Sequence, residues 1–276
     1  MEYLPALDPR TYARLTPAAL RREFVLSGLF QPGQLVLRHW ETDRTLIGGA
    51  VPLRKKLELP PLTEFVSTFF CARREVGVIN LGGPGVVTVD GRKFALGRLD
   101  GLYLGRGARR VAFTSRRAAE PAQFYLLSYP AHAAHPTTLI PHASVTGIVL
   151  GTNEGANSRV LYRYICPGSV ASCQLVMGLT LIQPGSKWNT MPPHTHLRRS
   201  EVYFYFGLPP RGRVTHYLGH PKRIRKVALC DGEAVLSPPW SIHCGVGTTH
   251  YGFVWGMGGE NQVFADMDPV DPALIR

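Results

Sequence analysis

The chain has 276 residues, of which 45% are hydrophobic and only 18% are charged, so it can bury a sizeable core and is not a disordered chain. Its formal net charge of +12 at pH 7 suits an anionic partner. The basic residues are dispersed and accompany no nucleic-acid motif, and no apolar run approaches the roughly 18 to 20 residues that span a bilayer, so we expect neither a nucleic-acid nor a membrane partner.

The cellular compartment is predicted from the N-terminus and the cysteines. The first residues, Met1 to Pro5, lack the basic start and apolar run of a secretory signal. The five cysteines are odd in number and form no Cys-x-x-Cys pair, which favours reduced thiols over a disulfide framework. Both features predict a cytoplasmic protein.

In chain order, the first predicted element is a helix over Ala18 to Phe24, with Thr16 as its cap and Pro17 at its first position. Short apolar runs bounded by turn residues follow, which predict an all-β fold of sandwich or jelly-roll type with a few short helices. The predicted strands are Val76 to Leu81, Val86 to Val89, Val111 to Phe113, Gln123 to Leu127, Leu175 to Ile182, Val202 to Phe206, Val214 to Tyr217, Ala234 to Leu236 and Tyr251 to Trp255.

A weak internal repeat indicates two modules in tandem. The segment Arg73 to Val76 resembles Arg198 to Val202, and Leu102 to Gly107 resembles Ile242 to Gly247. We therefore predict one β module over residues 1–145 and a second over residues 146–276. Chance similarity between two β-rich halves is the alternative.

The two halves differ in their polar residues. The second half has His194-Thr195-His196 seven residues before Glu201, whereas the first has Thr68-Phe69-Phe70 at the same distance before Glu75. The repeat also aligns His243 with Tyr103. If the duplication is real, only the C-terminal module has a metal site.

The candidate metal ligands are His194, His196, Glu201 and His243. Alternate side chains of a strand share a face, so His194 and His196 point the same way, and Glu201 opens the next strand. Three imidazoles and a carboxylate suit Zn²⁺, but also Fe²⁺, Mn²⁺ or Ni²⁺. The spacing resembles the two-part cupin signature, and the alternative is that these are ordinary polar residues of a β protein.

Segments spread over nearly the whole chain carry a likeness to a known family: Arg73 to Asn80, Cys173 to Leu175, Met177 to Thr180, Trp188 to Pro192, His194 to Phe206, Trp240 to His243, Gly245 to Gly247, Trp255 to Met257 and Gly259 to Phe264. In these segments the sequence resembles the 5-keto-4-deoxyuronate isomerase family. The resemblance implies a bicupin fold, one zinc ion per chain on the four residues above, and a homohexamer. It also implies a cytoplasmic role in using unsaturated uronates released from pectin.

The implied reaction moves a carbonyl between adjacent carbons of a deoxy-keto-uronate and needs a residue that carries a proton. Tyr203 and Tyr205 lie two and four residues after Glu201, so on a strand they share its face. Glu201 is itself an alternative base. The two tyrosines otherwise simply line a cavity or fill the core.

The substrate carboxylate requires a cationic partner. Arg198 and Arg199 lie beside the predicted ligands, and a guanidinium fork suits a carboxylate, although plain surface exposure is the alternative for each. Trp188 and Gln262 are further candidates for substrate binding.

Three rival functions fit the same residues. A 5-deoxyglucuronate isomerase of inositol breakdown belongs to the same class and acts on another sugar acid. An iron-dependent cupin dioxygenase is allowed by the ligand set, and a non-catalytic sugar-binding cupin is the third. The run from Arg198 to Phe206 fits the pectin-pathway enzyme better than the first rival.

Overall fold

The structure is a computed structural model that describes residues 1–275. Within them, two short α-helices are present, α1 (Pro9–Arg14) and α2 (Pro17–Phe24). The Thr16 hydroxyl accepts a hydrogen bond from the Ala19 N–H at 3.2 Å, which caps α2 and confirms the predicted helix. Neither helix has the length and apolar character of a membrane span.

Strands form most of the regular structure, and the all-β prediction is confirmed. From the N-terminus they are β1 (Glu2–Leu4), β2 (Val25–Leu26), β3 (Leu35–Trp40), β4 (Thr45–Ala50), β5 (Leu57–Glu58), β6 (Arg74–Asn80), β7 (Gly85–Val89), β8 (Arg92–Leu96), β9 (Gly101–Leu104), β10 (Val111–Ser115), β11 (Phe124–Pro130) and β12 (Thr138–Ile140). The remaining strands are β13 (Gly147–Leu150), β14 (Arg159–Ile165), β15 (Val176–Ile182), β16 (His194–Thr195), β17 (Arg199–Phe206), β18 (Val214–Gly219), β19 (Arg225–Leu229), β20 (Ala234–Ser237), β21 (Ile242–Gly247), β22 (Gly252–Gly259) and β23 (Asp268–Pro269). Short 3₁₀ turns cover Thr42–Arg44, Thr63–Phe65, Phe70–Ala72, His142–Ser144 and Pro272–Leu274.

The chain divides into two compact units, and each is built from more than one stretch of sequence. Unit 1 consists of Met1–Leu4, Gly28–Val145 and Tyr164–Val176. Unit 2 consists of Pro5–Ser27, Thr146–Arg163 and Met177–Arg276.

Unit 1 is a β-sandwich. Its larger sheet has the strand order β1-β3-β4-β11-β6-β9-β12, and its smaller sheet has the order β5-β10-β7-β8. One apolar core joins the two sheets, with Val76 and Phe124 from the larger sheet and Val87 and Phe113 from the smaller. The rings of Phe113 and Phe124 lie 5.2 Å apart, so aromatic packing links the two layers.

Unit 2 repeats this arrangement. Its larger sheet has the order β13-β14-β15-β22-β17-β20-β2, and a smaller sheet has the order β19-β18-β21. Every residue of β17 is buried. The ring of Tyr203 on β17 lies 5.4 Å from that of His243 on β21, so the two sheets face each other across the polar residues that the sequence singled out.

The strand order supports the duplication but corrects its alignment. Strands β6 to β11 of unit 1 and β17 to β22 of unit 2 occupy the larger and the smaller sheet in the same order. Strand β9 therefore matches β20, and β10 matches β21. Glu75 and Glu201 therefore begin corresponding strands. Tyr103 lies on β9 and His243 on β21, so aligning these two residues was wrong. The turn between β7 and β8 has two residues, whereas the corresponding turn between β18 and β19 is longer. The comparison of short segments did not account for this difference.

Candidate metal centre

Four polar side chains of unit 2 converge between its two sheets. His194 lies on β16, Glu201 on β17 and His243 on β21, while His196 lies between β16 and β17. The Nε2 atom of His243 is 3.2 Å from the Nε2 atoms of both His194 and His196. The Oε2 atom of Glu201 is 3.1 Å from His196 Nε2 and 2.8 Å from His243 Nε2. All four residues are buried.

The outer nitrogen of each histidine is held by an oxygen acceptor. His194 Nδ1 lies 3.1 Å from the Pro192 carbonyl oxygen, and His196 Nδ1 lies 2.9 Å from the Asp266 carbonyl oxygen. His243 Nδ1 lies 3.2 Å from the Ser237 hydroxyl. When Nδ1 donates outward in this way, the lone pair of Nε2 points inward, which is the tautomer that ligates metals.

This donor set fits a divalent cation. His194, His196 and His243 form a group whose nitrogens all lie within 4.8 Å of one another. Three inward lone pairs and a carboxylate oxygen repel one another at these distances unless a cation lies between them. The site can therefore bind a metal ion.

The protonation states agree with such a role. Burial, reinforced by His243 and His196, lowers the pKa of His194 to about 3, so its ring is neutral near pH 7. Burial alone would raise the pKa of Glu201, but its interactions with His243 and His196 outweigh the burial and hold that pKa well below its usual range. Neutral imidazoles beside an ionised carboxylate are the forms that bind a metal.

A cavity of about 370 Å³ opens onto this cluster. That volume lies in the range of small-molecule sites. His194, His196, Glu201 and Tyr203 form part of its wall, and most of the remaining wall is apolar. The other lining residues are Leu150, Arg159, Leu161, Thr180, Thr190, Met191, Pro192, Phe253, Trp255, Met257, Phe264, Met267 and Pro269.

The structure separates the two tyrosines that the sequence proposed as proton carriers. Tyr203 lines the cavity, and its hydroxyl lies 2.6 Å from the Thr190 hydroxyl. Tyr205 is not among the lining residues, and its hydroxyl lies 2.7 Å from His216 Nδ1 and accepts a hydrogen bond from Asn189 Nδ2 at 3.1 Å. Burial raises the pKa of both tyrosines well above 10, so both hydroxyls keep their protons near neutral pH.

The two predicted carboxylate-binding arginines have partners within the protein. Arg198 forms ion pairs with Asp266 at 2.6 Å and Asp268 at 3.0 Å. The buried Arg199 donates from Nη2 to the Asp266 carbonyl oxygen at 2.8 Å and lies 3.2 Å from His196 Nδ1. Neither arginine lines the cavity.

Trp188 and Gln262, the other two predicted substrate contacts, also lie outside the cavity wall. The ring of Trp188 stacks on Tyr217 at 5.8 Å and packs on a small core cluster. Both substrate-binding assignments stay predictions.

Sequence reasoning missed three polar residues of the cavity wall, Arg159, Thr180 and Thr190. Arg159 lies at the start of β14, a strand that was not predicted. Its segment, Arg159–Ile165, is rich in β-branched and aromatic residues, which was the available signal.

Comparison with known proteins is consistent with this geometry. A model of the KduI/IolB family matches residues 33–271. A 4-deoxy-L-threo-5-hexosulose-uronate ketol-isomerase of Lachnoclostridium phytofermentans is 46% identical over 276 residues, covering all of both chains. A protein of the same name from Kineococcus radiotolerans is 48% identical over 279 residues, again covering all of both chains.

Solved structures show the fold. An IolB-like protein from Salmonella typhimurium aligns with a TM-score of 0.72 and 16% identity, covering 87% of this chain and 94% of that chain. A Bacillus subtilis oxalate decarboxylase, described with Mn(II) centres, aligns with a TM-score of 0.59 and 11% identity, covering 87% and 78%. At these identities the likeness establishes a shared cupin-type architecture.

Proposed function

The chain belongs to the KduI/IolB family, and from this premise we propose that it converts 5-dehydro-4-deoxy-D-glucuronate into 3-deoxy-D-glycero-2,5-hexodiulosonate. Its relatives are ketol-isomerases, which are intramolecular oxidoreductases of the aldose–ketose type. The observation that carries the proposal is the convergence of three Nε2 atoms and one carboxylate, with His194, His196 and Glu201 in the wall of one cavity.

The reaction is an internal redox exchange between carbons 1 and 2 of the substrate. A base removes the proton from carbon 2, the electron pair forms the enediol, and a proton is returned to carbon 1. The hydroxyl proton passes from the oxygen on carbon 2 to the oxygen on carbon 1. Atoms and electrons balance without any external oxidant or reductant.

The residues of the cavity wall can carry these steps. Glu201 is the carboxylate among the lining residues, and both of its histidine contacts use Oε2, so we assign proton transfer between carbons 1 and 2 to Oε1. The Tyr203 hydroxyl stays protonated and is oriented by Thr190, so it donates a hydrogen bond to a reacting oxygen. Apolar side chains such as Trp255 and Phe253 limit water around the enediol.

We propose one zinc ion per chain as the metal, held by His194, His196, Glu201 and His243. When bound, a divalent metal supplies Lewis-acid polarisation of a carbonyl. The nitrogen-rich donor set supports zinc, although it also suits iron, manganese or nickel. A homohexameric assembly and a role in pectin-derived uronate breakdown are further proposals, which rest on the family resemblance.

The direct test is an isomerisation assay on the keto-deoxyuronate produced by pectin degradation, run together with elemental analysis of the purified protein. We expect turnover with about one equivalent of metal, loss of activity on chelation, and its return when Zn²⁺ is added back. Full activity in thoroughly demetallated protein would refute the assignment of the metal to the reaction.

The same assay separates the rival functions. The first rival function makes 5-deoxyglucuronate the natural competitor, and we expect a higher kcat/KM for the pectin-derived substrate. Oxygen uptake during turnover would instead indicate a dioxygenase. Binding of the sugar acid without conversion would indicate a sugar-binding protein.

A further inference from the structure

Arg159 is the cationic residue of the cavity wall, and its guanidinium is fixed by the backbone of unit 2. Nη1 donates to the Asn157 carbonyl oxygen at 2.9 Å, and Nη2 donates to the Met191 carbonyl oxygen at 3.0 Å. A guanidinium carries five N–H groups, so these two bonds leave three available. The side chain is 8% exposed and is therefore already positioned by its surroundings.

The electrostatic surroundings of Arg159 differ from those of the other buried arginines. Arg74 interacts with Glu75, and Arg199 interacts with Glu201 and Asp266. Within residues 1–275, the charge of Arg159 interacts with the hydroxyls of Tyr203 and Tyr251, and no carboxylate is close enough to contribute. Burial accordingly lowers its pKa.

A buried charge without a counter-ion is costly, and proteins normally supply it with a partner. The protein keeps Arg159 buried at the wall of a cavity in which Glu201, the acidic lining residue, is already engaged by His196 and His243. An anion that enters this cavity therefore finds a guanidinium with unused donors.

We propose that Arg159 binds the carboxylate of the substrate and thereby selects uronic acids over neutral sugars. The proposal rests on the isomerase function proposed above. In the keto-deoxyuronate the carboxylate is carbon 6, at the opposite end of the molecule from carbons 1 and 2. Arg159, His194, His196 and Glu201 line one cavity, so a single substrate can contact both ends of the site. Arg159 thus takes the carboxylate-binding role that the sequence suggested for Arg198 and Arg199, because those two arginines already bind Asp266 and Asp268.

The test compares an acid and its uncharged counterpart in Arg159→Gln. The probes are the 3-deoxyaldonate obtained by reducing both carbonyls of the substrate, which cannot isomerise, and the carboxamide of that compound. Calorimetry should show that the wild type binds the acid about 10- to 100-fold more tightly than the amide, since charge-assisted pairs have this strength. In Arg159→Gln the ratio should fall to near 1 through weaker acid binding, with a matching rise in KM for the keto-deoxyuronate.

Four further variants distinguish the effects of charge, of guanidinium geometry and of general electrostatics. Arg159→Lys retains the charge without the fork, so we expect an intermediate ratio. Arg211→Gln removes one exposed positive charge and should leave the ratio unchanged. If Arg198→Gln or Arg199→Gln abolishes the ratio while Arg159→Gln preserves it, the proposal is overturned.

Arg159 donates a hydrogen bond to the Met191 carbonyl oxygen near His194. Metal content and thermal unfolding of Arg159→Gln therefore show whether the substitution disturbs the metal ligands or the fold. An equal loss of acid and amide binding in Arg159→Gln would overturn the proposal. If that variant does not fold, the ratio in Arg159→Lys decides, and an unchanged ratio there would contradict us. Binding of these probes is measured without turnover, so it tests Arg159 independently of the reaction. If the protein prefers the acid through Arg159 but does not isomerise the keto-deoxyuronate, only the proposed reaction is refuted.

Discussion

Glu75 and Glu201 begin corresponding strands in the two units, yet the protein surrounds the two carboxylates with opposite kinds of partner. Glu75 Oε1 accepts hydrogen bonds from the N–H groups of Gln174 and Leu175 at 2.9 and 2.8 Å. Its Oε2 accepts from the N–H of Cys173 and the hydroxyl of Tyr103, both at 2.7 Å. Glu201 instead meets the Nε2 atoms of two histidines.

The difference explains how one fold can hold a metal site in one copy and a structural carboxylate in the other. Four donors satisfy Glu75 completely, so no cation is needed in unit 1. In unit 2 the neighbouring nitrogens are themselves acceptors, so Glu201 and the histidines together can bind a cation.

The largest effect is expected from His243→Ala, which removes the ligand that links the other three. Metal stoichiometry should fall towards zero and kcat/KM should drop by at least about 10³-fold, because both metal binding and carbonyl polarisation depend on the complete set. Elemental analysis and the isomerisation assay measure the two quantities. Retained activity in a metal-free variant would contradict a metal-dependent site in unit 2.

A second test uses the residue two positions after each glutamate, which is Gly77 in unit 1 and Tyr203 in unit 2. Tyr203→Phe removes the hydroxyl that faces the cavity, so kcat should fall by about 10²-fold while metal content is unchanged. The matched control is Tyr205→Phe, whose hydroxyl is held by Asn189 and His216 behind the wall. It should cost less than about tenfold in kcat, and a larger loss than in Tyr203→Phe would reverse the assignment.

The residues of the candidate metal centre could be predicted because their spacing in the sequence is characteristic. His194 and His196 alternate on one segment, Glu201 follows within five residues, and His243 was identified by its distance along a recognisable pattern. Tyr203 was found by the same alternation. The all-β fold and the helix cap at Thr16 also follow from short-range signals.

The charged contacts could not be predicted, because their partners come from distant segments. Arg198 adjoins the ligands in sequence, but its side chain pairs with Asp266 and Asp268 near the C-terminal end. Arg159 is remote in sequence and lines the cavity because β14 belongs to the same sheet as β17. The alignment of Tyr103 with His243 failed for a related reason, since loop lengths differ between the units.

A third test removes the satisfied carboxylate of unit 1. In Glu75→Gln, the side-chain amide replaces one oxygen, so at least two of the four donors lose their acceptor. We expect the free energy of unfolding to fall by about 3 kcal/mol, since each unsatisfied buried donor costs about 1–3 kcal/mol. Denaturant unfolding measures this loss. Metal stoichiometry should stay at the wild-type value, and a loss of metal would show that Glu75 belongs to a metal site after all.

The smallest effect is expected from Tyr103→Phe, which removes one of the four donors and leaves the ring in place. Burial, with Glu75 nearby, raises the pKa of Tyr103, so the hydroxyl keeps its proton and donates to the carboxylate. Losing this bond should cost about 1–2 kcal/mol of stability, with kcat and metal content unchanged. In a Glu75→Gln background the same substitution should cost less, because its acceptor has already been altered. Equal costs in both backgrounds would show that Tyr103 stabilises unit 1 through packing, and that the donors around Glu75 do not act together.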